Sequence, residues 1–297
     1  MTETVIADPD SGLTGAQLAA RHGLRVAGAR PSLAEYTRQL WSYRHFIAAH
    51  SRGRLVATFT KARLGQLWQV LTPLTNAAVY YLIFGMVLKT SRGIDNFIAY
   101  LCIGLFLFTF TQNAVIHGTQ SITNNLGLIR ALHFPRACLP LSVTLTQLQQ
   151  LIASMVVLFG IILVTGEPLT MAWLLVVPVL LLQSLFNAGL VLALARLGSK
   201  ITDLKQLMPF VTRTWMYASG VLYSVTRFTD LPGPAAEILQ LNPLLVYIEL
   251  ARDALLASAP SAIPASRLWL LGVGWALLMA VGGYIYFWLG EKEYGRG

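Results

Sequence analysis

The apolar positions divide the chain at Trp68. Upstream, polar and apolar residues are interleaved; downstream, long apolar runs follow one another between short polar stretches. The first run, Trp68 to Leu88, carries no charge and is closed by Lys89. At about 1.5 Å per residue, that length covers a hydrocarbon core of ~30 Å. Further runs occupy Phe97 to about Ser121, Leu139 to Val164, Trp173 to Leu194, Phe210 to Val225 and Trp269 to Leu289. The fifth is short and interrupted by Arg213, and Pro178 predicts a kink in the fourth. No run alternates with period two, as the strands of a membrane barrel do. The pattern therefore predicts an all-α integral membrane protein with six transmembrane helices.

Two further amphipathic stretches flank these runs. Ser32 and Glu35 form a capping box, and Leu33, Tyr36, Leu40, Tyr43 and Ile47 follow on one helical face. Arg38 and His45 lie off that face, and Arg44 at its edge. Such a helix, from Ser32 to Ala49, either lies in the membrane interface or packs on a soluble partner. Lys61 and Arg63 precede the first run, Trp68 stands at its boundary, and Pro73 falls in its second turn. Between the fifth and sixth runs, Pro232 and Pro234 break any helix, and Asn242-Pro243 starts one, an N-cap followed by proline. Its apolar face is Leu244, Ile248, Ala251 and Leu255. Too short to cross, this helix is expected to lie on or dip into the external leaflet and to cover the outer mouth of a pathway. Glu249 and Arg252 would pair on its surface, contributing roughly 0–1 kcal/mol. The resulting division is a mobile cytoplasmic tail (1–30, with a weak helix at Gly15 to His22), an interfacial segment (31–66) and a six-helix domain (67–297).

Composition fits this reading. The chain has 297 residues, 55% hydrophobic and 12% charged, with a mean hydropathy of +0.60. Soluble domains carry about 25% charged residues. The net charge of +9 comes with no basic run interleaved with aromatics, so anionic lipid head groups, and not nucleic acid, are the expected partner. Cys102 and Cys138 have neither metal spacing nor a disulfide framework. The first 30 residues hold no apolar run, so no signal peptide is expected. Sixteen Lys/Arg lie before the first run, after the second, fourth and sixth; five lie on the other side, Arg252 among them. By the positive-inside bias both termini are cytoplasmic.

Candidate chemistry is sparse. Gly198-Ser199-Lys200 lacks the upstream glycine of a phosphate-binding loop. The central parts of the apolar runs hold no Asp or Glu, which argues against a carboxylate proton relay. Ser184 and Ser219 have no evident histidine or acid partner for a membrane-embedded glycosyltransferase or hydrolase. On a helix at 100° per residue, Phe106, Phe110, Asn113, His117, Gln120 and Asn124 fall within about 40° of one line. Tyr80, Tyr81 and Phe84 in the first run, and Phe210, Arg213, Tyr217 and Ser224 in the fifth, offer similar faces. These faces either line a substrate pathway or tie helices together, and His117 is either pathway lining or a hydrogen-bonded interior histidine. Arg213 either meets a diphosphate or snorkels.

Three stretches carry a resemblance: Leu64-Gly65-Gln66-Leu67-Trp68 with Pro73-Leu74; Asn124 through Leu128, Ile129, Arg130, Leu132, His133 and Phe134 to Pro135-Arg136, then Leu139-Pro140; and Asn242-Pro243-Leu244 with Tyr247, Glu249 and Arg252. In this order the chain resembles permease subunits of ABC-2 type exporters of lipid-linked polysaccharides, the O-antigen, teichoic acid and mycobacterial galactan exporters. Where that family often has a basic-tyrosine pair, this chain reads Thr58-Phe59-Thr60-Lys61-Ala62-Arg63. The resemblance implies a homodimer in the bacterial plasma membrane, bound to two copies of an ATPase, with ATP and Mg on that partner and no cofactor in this chain. It also implies a lipid-linked glycan as substrate, the excess of arginine over lysine favouring a galactan; an exporter of a small lipid or drug is the alternative. The loop Asn124 to Arg136 would contact the ATPase, with Leu128, Ile129 and Leu132 as apolar contacts and Arg130 and Arg136 meeting acids or only satisfying the charge bias. The amphipathic helix and the loop Lys200 to Lys205 are secondary contacts.

Overall fold

The computed structural model describes residues 31–59, 65–87, 94–224, 235–258 and 263–294, with 14, 17, 18, 21 and 261 in addition. Most of the expected tail, the basic residues Lys61 and Arg63, and the prolines Pro232 and Pro234 lie outside the described residues. Among the described residues the structure is helical, without strands. Two helices, α1 (Leu33–Ser42) and α2 (Arg44–Phe59), precede the apolar runs. The first run forms α3 (Trp68–Tyr80), continued as a π-helix over Tyr81–Val87. Then come α4 (Phe97–Thr119), the short α5 (Leu126–Ala131), α6 (Cys138–Val164), a 3-10 turn at Met171–Leu175 leading into α7 (Val176–Lys200), and α8 (Leu204–Ala218). Two short helices, α9 (Ala235–Gln240) and α10 (Pro243–Leu255), precede the last long one, α11 (Ala265–Leu289).

Among the described residues, four helices are long and apolar enough to cross a membrane: α4, α6, α7 with its 3-10 turn, and α11. The protein is a multi-pass integral membrane protein. The expected fifth span is corrected at both ends: its helix begins six residues before Phe210 and stops at Ala218. At about 1.5 Å per residue this helix falls short of a ~30 Å core. Pro178 occupies the first turn of α7, where its missing N–H has no helical partner, so no kink is required. The expected amphipathic helix is two helices, with the break at Tyr43. Ser32 caps the first, its Oγ accepting from Glu35 N at 3.3 Å, and Tyr36 is the buried residue of its apolar face.

α4 is the central post. Most of its side chains are buried, as befits a helix surrounded by protein, and it packs against α3, α6, α7, α8 and α10. The closest helix pair is α7 with α11. A Cβ at Gly189 would lie 1.9 Å from the Met279 carbonyl oxygen, and one at Gly283 2.0 Å from that of Gly189. Between two backbones nothing flexible yields, so glycine is required for this approach. Gly198 is likewise pressed against Thr119, where a Cβ would sit 2.0 Å from the carbonyl oxygen. Its glycine serves helix packing.

A carboxylate gathers the end of the bundle that holds both the first helices and the last described residues. Glu291 accepts from the Tyr36 hydroxyl at 2.7 Å, from Arg136 N at 3.1 Å and from Arg136 Nη1 at 3.3 Å. Burial pushes its carboxyl above the ordinary range, against the pull of those donors. At the opposite end Glu167 accepts from Asn96 Nδ2 at 3.1 Å, from Ala257 N at 3.0 Å and from the Ser258 hydroxyl. Replacing Gly283 or Gly189 by alanine should cost roughly 1–3 kcal/mol through overpacking. Thermal unfolding of the detergent-solubilised protein should show a lowered midpoint, whereas Gly274→Ala, with open space at its Cβ, should leave it unchanged.

Candidate functional site

Between α3, α4, α6 and the end of α2 lies a cleft of about 250 Å³. From α4 come Phe106, Thr109, Phe110, Asn113 and His117. Trp68, Thr72 and Asn76 project from α3 at intervals of four, one face of that helix. Gln147, Gln150, Leu151 and Ser154 close it from α6, and Thr58 from α2. The lining is therefore amide, hydroxyl, imidazole and aromatic ring. None of these helices holds an Asp or Glu, so the cleft presents donors and acceptors with no negative charge.

The structure thus brings together Phe106, Phe110, Asn113 and His117 of the expected pathway face, and separates the rest. Gln120 and Asn124 lie past the end of α4; Gln120 lines a separate small pocket with Thr119, Thr123, Gly198, Thr202 and Lys205. The helix ends at Thr119, so the 100° line is not continued beyond it. Tyr80 and Phe84 pack on each other, centroids 6.2 Å apart, and the Tyr80 hydroxyl is directed at Met216 Sδ. Phe210, Arg213 and Tyr217 are exposed on the outer side of α8, with Met208, Thr212 and Met216 turned inward. Sequence inspection missed Asn76, Gln147 and Gln150; the available signal was amides within apolar runs, at helical intervals.

The helix α10 differs most from expectation. Its start is as the sequence predicts: Asn242 Oδ1 accepts from Leu244 N at 3.1 Å, and Pro243 is the first helical residue. Asn242 also ties α10 to α8, accepting from Trp215 Nε1 at 2.9 Å and donating to Ala218 O at 2.8 Å. The body of the helix, however, is not a surface cover. Nearly every side chain from Leu244 to Leu255 is buried, against α4, α7 and α11. Tyr247 packs against Phe186 and donates to Gly272 O at 2.9 Å.

Arg252, expected as an external loop charge in an exposed pair, is fully buried. Its Nη1 meets Glu249 Oε1 at 2.9 Å and Gly220 O at 2.9 Å. Nη2 reaches Tyr100 O and Val221 O, both at 3.2 Å, and the guanidinium carbon lies 3.4 Å from the Tyr100 ring centroid. Gly104 leaves room for it, since a Cβ there would come within 2.7 Å of Nη2. Gly220 has φ of +63°, the left-handed conformation that ends a helix and turns its carbonyl toward the guanidinium.

The expected partner-contact loop is also rearranged. Ile129 is buried in a core with Tyr36, Ile122 and Leu139, and so is not an external contact. Arg136 is engaged by Glu291 of the same chain. Phe134 packs on Phe46 with centroids 5.1 Å apart, and His133 O accepts from the Tyr43 hydroxyl at 3.1 Å. Arg130, Leu132 and His133 are exposed, and Leu128 is half-buried.

With this geometry the comparisons with known proteins are decisive. The family model described as ABC-2 type transporter matches residues 47–256, from α2 through α10. The chain belongs to the ABC-2 type transporter family. Among curated proteins, this ABC-2 type chain is similar to the O-antigen export system permease protein RfbA of Myxococcus xanthus, 27% identical over 208 residues, 70% of this chain and 79% of that protein. A protein of the same name from Klebsiella pneumoniae is 26% identical over 200 residues, 67% and 75% of the two chains.

Two expectations follow. In a background lacking Cys102 and Cys138, cysteines at Asn76, Asn113 and Gln150 should react with water-soluble thiol reagents at least tenfold faster than cysteines at the buried Leu107 and Ala114; equal rates would remove the cleft as a water-accessible site. Removing one partner of the buried pair, as in Arg252→Ala, should cost roughly 3–5 kcal/mol. Arg252→Lys should restore little, because one ammonium cannot serve carbonyls on two segments. Chemical denaturation in detergent reads both.

Proposed function

We propose that the chain is the membrane permease of an exporter that moves a lipid-linked polysaccharide across the bacterial plasma membrane, driven by a separate ATPase. The cleft carries this reading: amides and hydroxyls suit sugar hydroxyls, and Phe106, Phe110 and Trp68 offer faces for sugar C–H groups. The names of the similar proteins support a polysaccharide as cargo. A galactan is our favoured glycan, on the arginine-rich composition.

In this reading both termini are cytoplasmic and the chain crosses six times. Residues 68–87 supply the first crossing, and α8 with its following turn the fifth. Two copies of the chain, each with one ATPase bearing ATP and Mg, form the transporter. The exposed face of α8, with Phe210, Arg213 and Tyr217, lines the route between the copies, and Tyr80 and Phe84 stand behind the cleft wall. The loop 120–137 receives the ATPase through Leu128, Arg130, Leu132 and His133. The contacts of Ile129, Phe134 and Arg136 inside this chain hold that loop against α2 and the C-terminal turn. The helix α10 acts as a fixed buried wall beside the route.

The test is co-purification and turnover. Arg130→Glu combined with Leu132→Glu should abolish recovery of the ATPase with the permease while leaving the permease folded. The intact complex should hydrolyse ATP several-fold faster with a polyprenyl-linked galactan than with the carrier alone. Stimulation by small lipids or drugs, and none by glycans, would assign the transporter another cargo.

A further inference from the structure

The long helix α6 starts without a cap of its own. Ala137 stands before its first residue and offers no side-chain acceptor. N–H groups at a helix start have no partner within the helix and must find one elsewhere. Here the partners come from the two ends of the chain. Tyr36 Oη accepts from Ala137 N at 3.2 Å and donates to Glu291 Oε2 at 2.7 Å. The second carboxylate oxygen, Oε1, accepts from Arg136 N at 3.1 Å and from Arg136 Nη1 at 3.3 Å. Tyr36, Ala137 and Glu291 are all buried, so water does not stand in for a lost bond.

The two capping residues belong to one body. The helix α1 lies on the last turns of α11: the Tyr36 and Tyr284 ring centroids are 6.0 Å apart, the Thr37 and Tyr284 hydroxyls 2.9 Å, and Trp288 Nε1 donates to Pro31 O at 3.1 Å. Glu291 lies in the turn directly after α11. The junction of residues 136 and 137 is thereby pinned to α1 and α11 together. On its N-terminal side is the loop 120–137, held on α2 through Phe134 and His133 O. On its C-terminal side, α6 carries Gln147, Gln150 and Ser154 into the cleft. An uncapped first turn frays, and a frayed turn is slack between a loop and its helix.

We propose that Glu291 and Tyr36 are positioning residues for transport. They keep the first turn of α6 wound and pinned to α1 and α11, so that a displacement of the loop 120–137 by the ATPase reaches the cleft wall on α6 and is not absorbed at the junction. Both residues are buried and outside the cleft lining, so they act through the backbone of Arg136 and Ala137 and not by touching cargo. Glu293, two residues on, pairs with Lys200 at 2.9 Å on the surface and makes the natural control. This inference rests on reading the loop 120–137 as the seat of the ATPase.

The test uses the full chain, lacking Cys102 and Cys138 and bearing Gln150→Cys, in nanodiscs with the ATPase that co-purifies. The rate at which a water-soluble thiol reagent labels position 150 is measured without nucleotide, and again with ATP and vanadate to trap the ATPase. In the otherwise unaltered complex the two rates should differ several-fold. In Glu291→Ala the complex should still form and hydrolyse ATP, and the ratio of the two rates should fall to unity. Glu291→Gln, which still accepts from Arg136 N, should restore part of the ratio, and Glu293→Ala should leave it at the unaltered value. A generally loosened fold gives another pattern, in which ATPase recovery and hydrolysis are lost together; that result would overturn the proposal. Should Glu291→Ala fail to fold, Tyr36→Phe, which keeps the buried ring and loses only the bridging hydroxyl, serves instead: a ratio near unity supports the proposal, and the unaltered ratio overturns it. No nucleotide effect at position 150 in the unaltered complex, or an unaltered ratio in Glu291→Ala, overturns this inference and leaves the transport reading in place. Failure to recover any ATPase with the unaltered chain overturns that reading, and this inference with it.

Discussion

The buried Arg252 guanidinium is the constraint on which the rest of the bundle depends. A charge at that depth persists only where its donors are met, and here they are met by Glu249, by Tyr100 O on the central helix, and by Gly220 O and Val221 O in the turn after α8. Three segments far apart in the chain are thereby held at one point. Irregular backbone within a membrane protein is tolerated when protein covers it, and the turn 219–222 is fully covered. The small residues around it follow from the same requirement: Gly104 makes space for the guanidinium, and Gly220 turns a carbonyl toward it.

With that corner fixed, α4 stands at the centre, and the polar side of its C-terminal half, with Thr109, Asn113 and His117, faces α3 and α6 across the cleft. Its lining is amide, hydroxyl, imidazole and aromatic ring, with no carboxylate among the residues that form it. Desolvated amides and hydroxyls would be costly against lipid chains, so the exposed side of the cleft calls for water, cargo or a second copy of the chain.

A second convergence connects this cleft to the end of the bundle. The Glu291 carboxylate joins the start of α1, the loop after α4 and the turn after α11 through Tyr36 and Arg136. From there α2 runs alongside α6, with Ser51 Oγ bonded to Gln149 Oε1 at 3.1 Å, and reaches the cleft at Thr58. The loop 120–137 and the cleft are thereby joined through packed side chains and α2.

The sequence by itself determined the elements. Apolar runs of membrane length, a Ser32 cap, and Asn242-Pro243 at a helix start are local signals, and the helices they mark begin within a few residues of where these place them. It also determined part of the site, since Phe106, Phe110, Asn113 and His117 share a face by helical geometry alone. Only the tertiary structure decided what each face meets. The period of α10 marks one apolar stripe, yet Glu249 and Arg252 are inside, because Tyr100 and the turn after α8 supply Arg252 with partners 152 and 32 positions away in sequence. Likewise Ile129 and Arg136 read as surface residues until Tyr36 and Glu291 are brought to them. Phe210, Arg213 and Tyr217 share a face by period alone, but that α8 turns this face outward and away from the cleft is seen only in the fold. Periodicity fixes which residues share a side of a helix; which neighbour that side faces depends on long-range packing, and no local pattern encodes it.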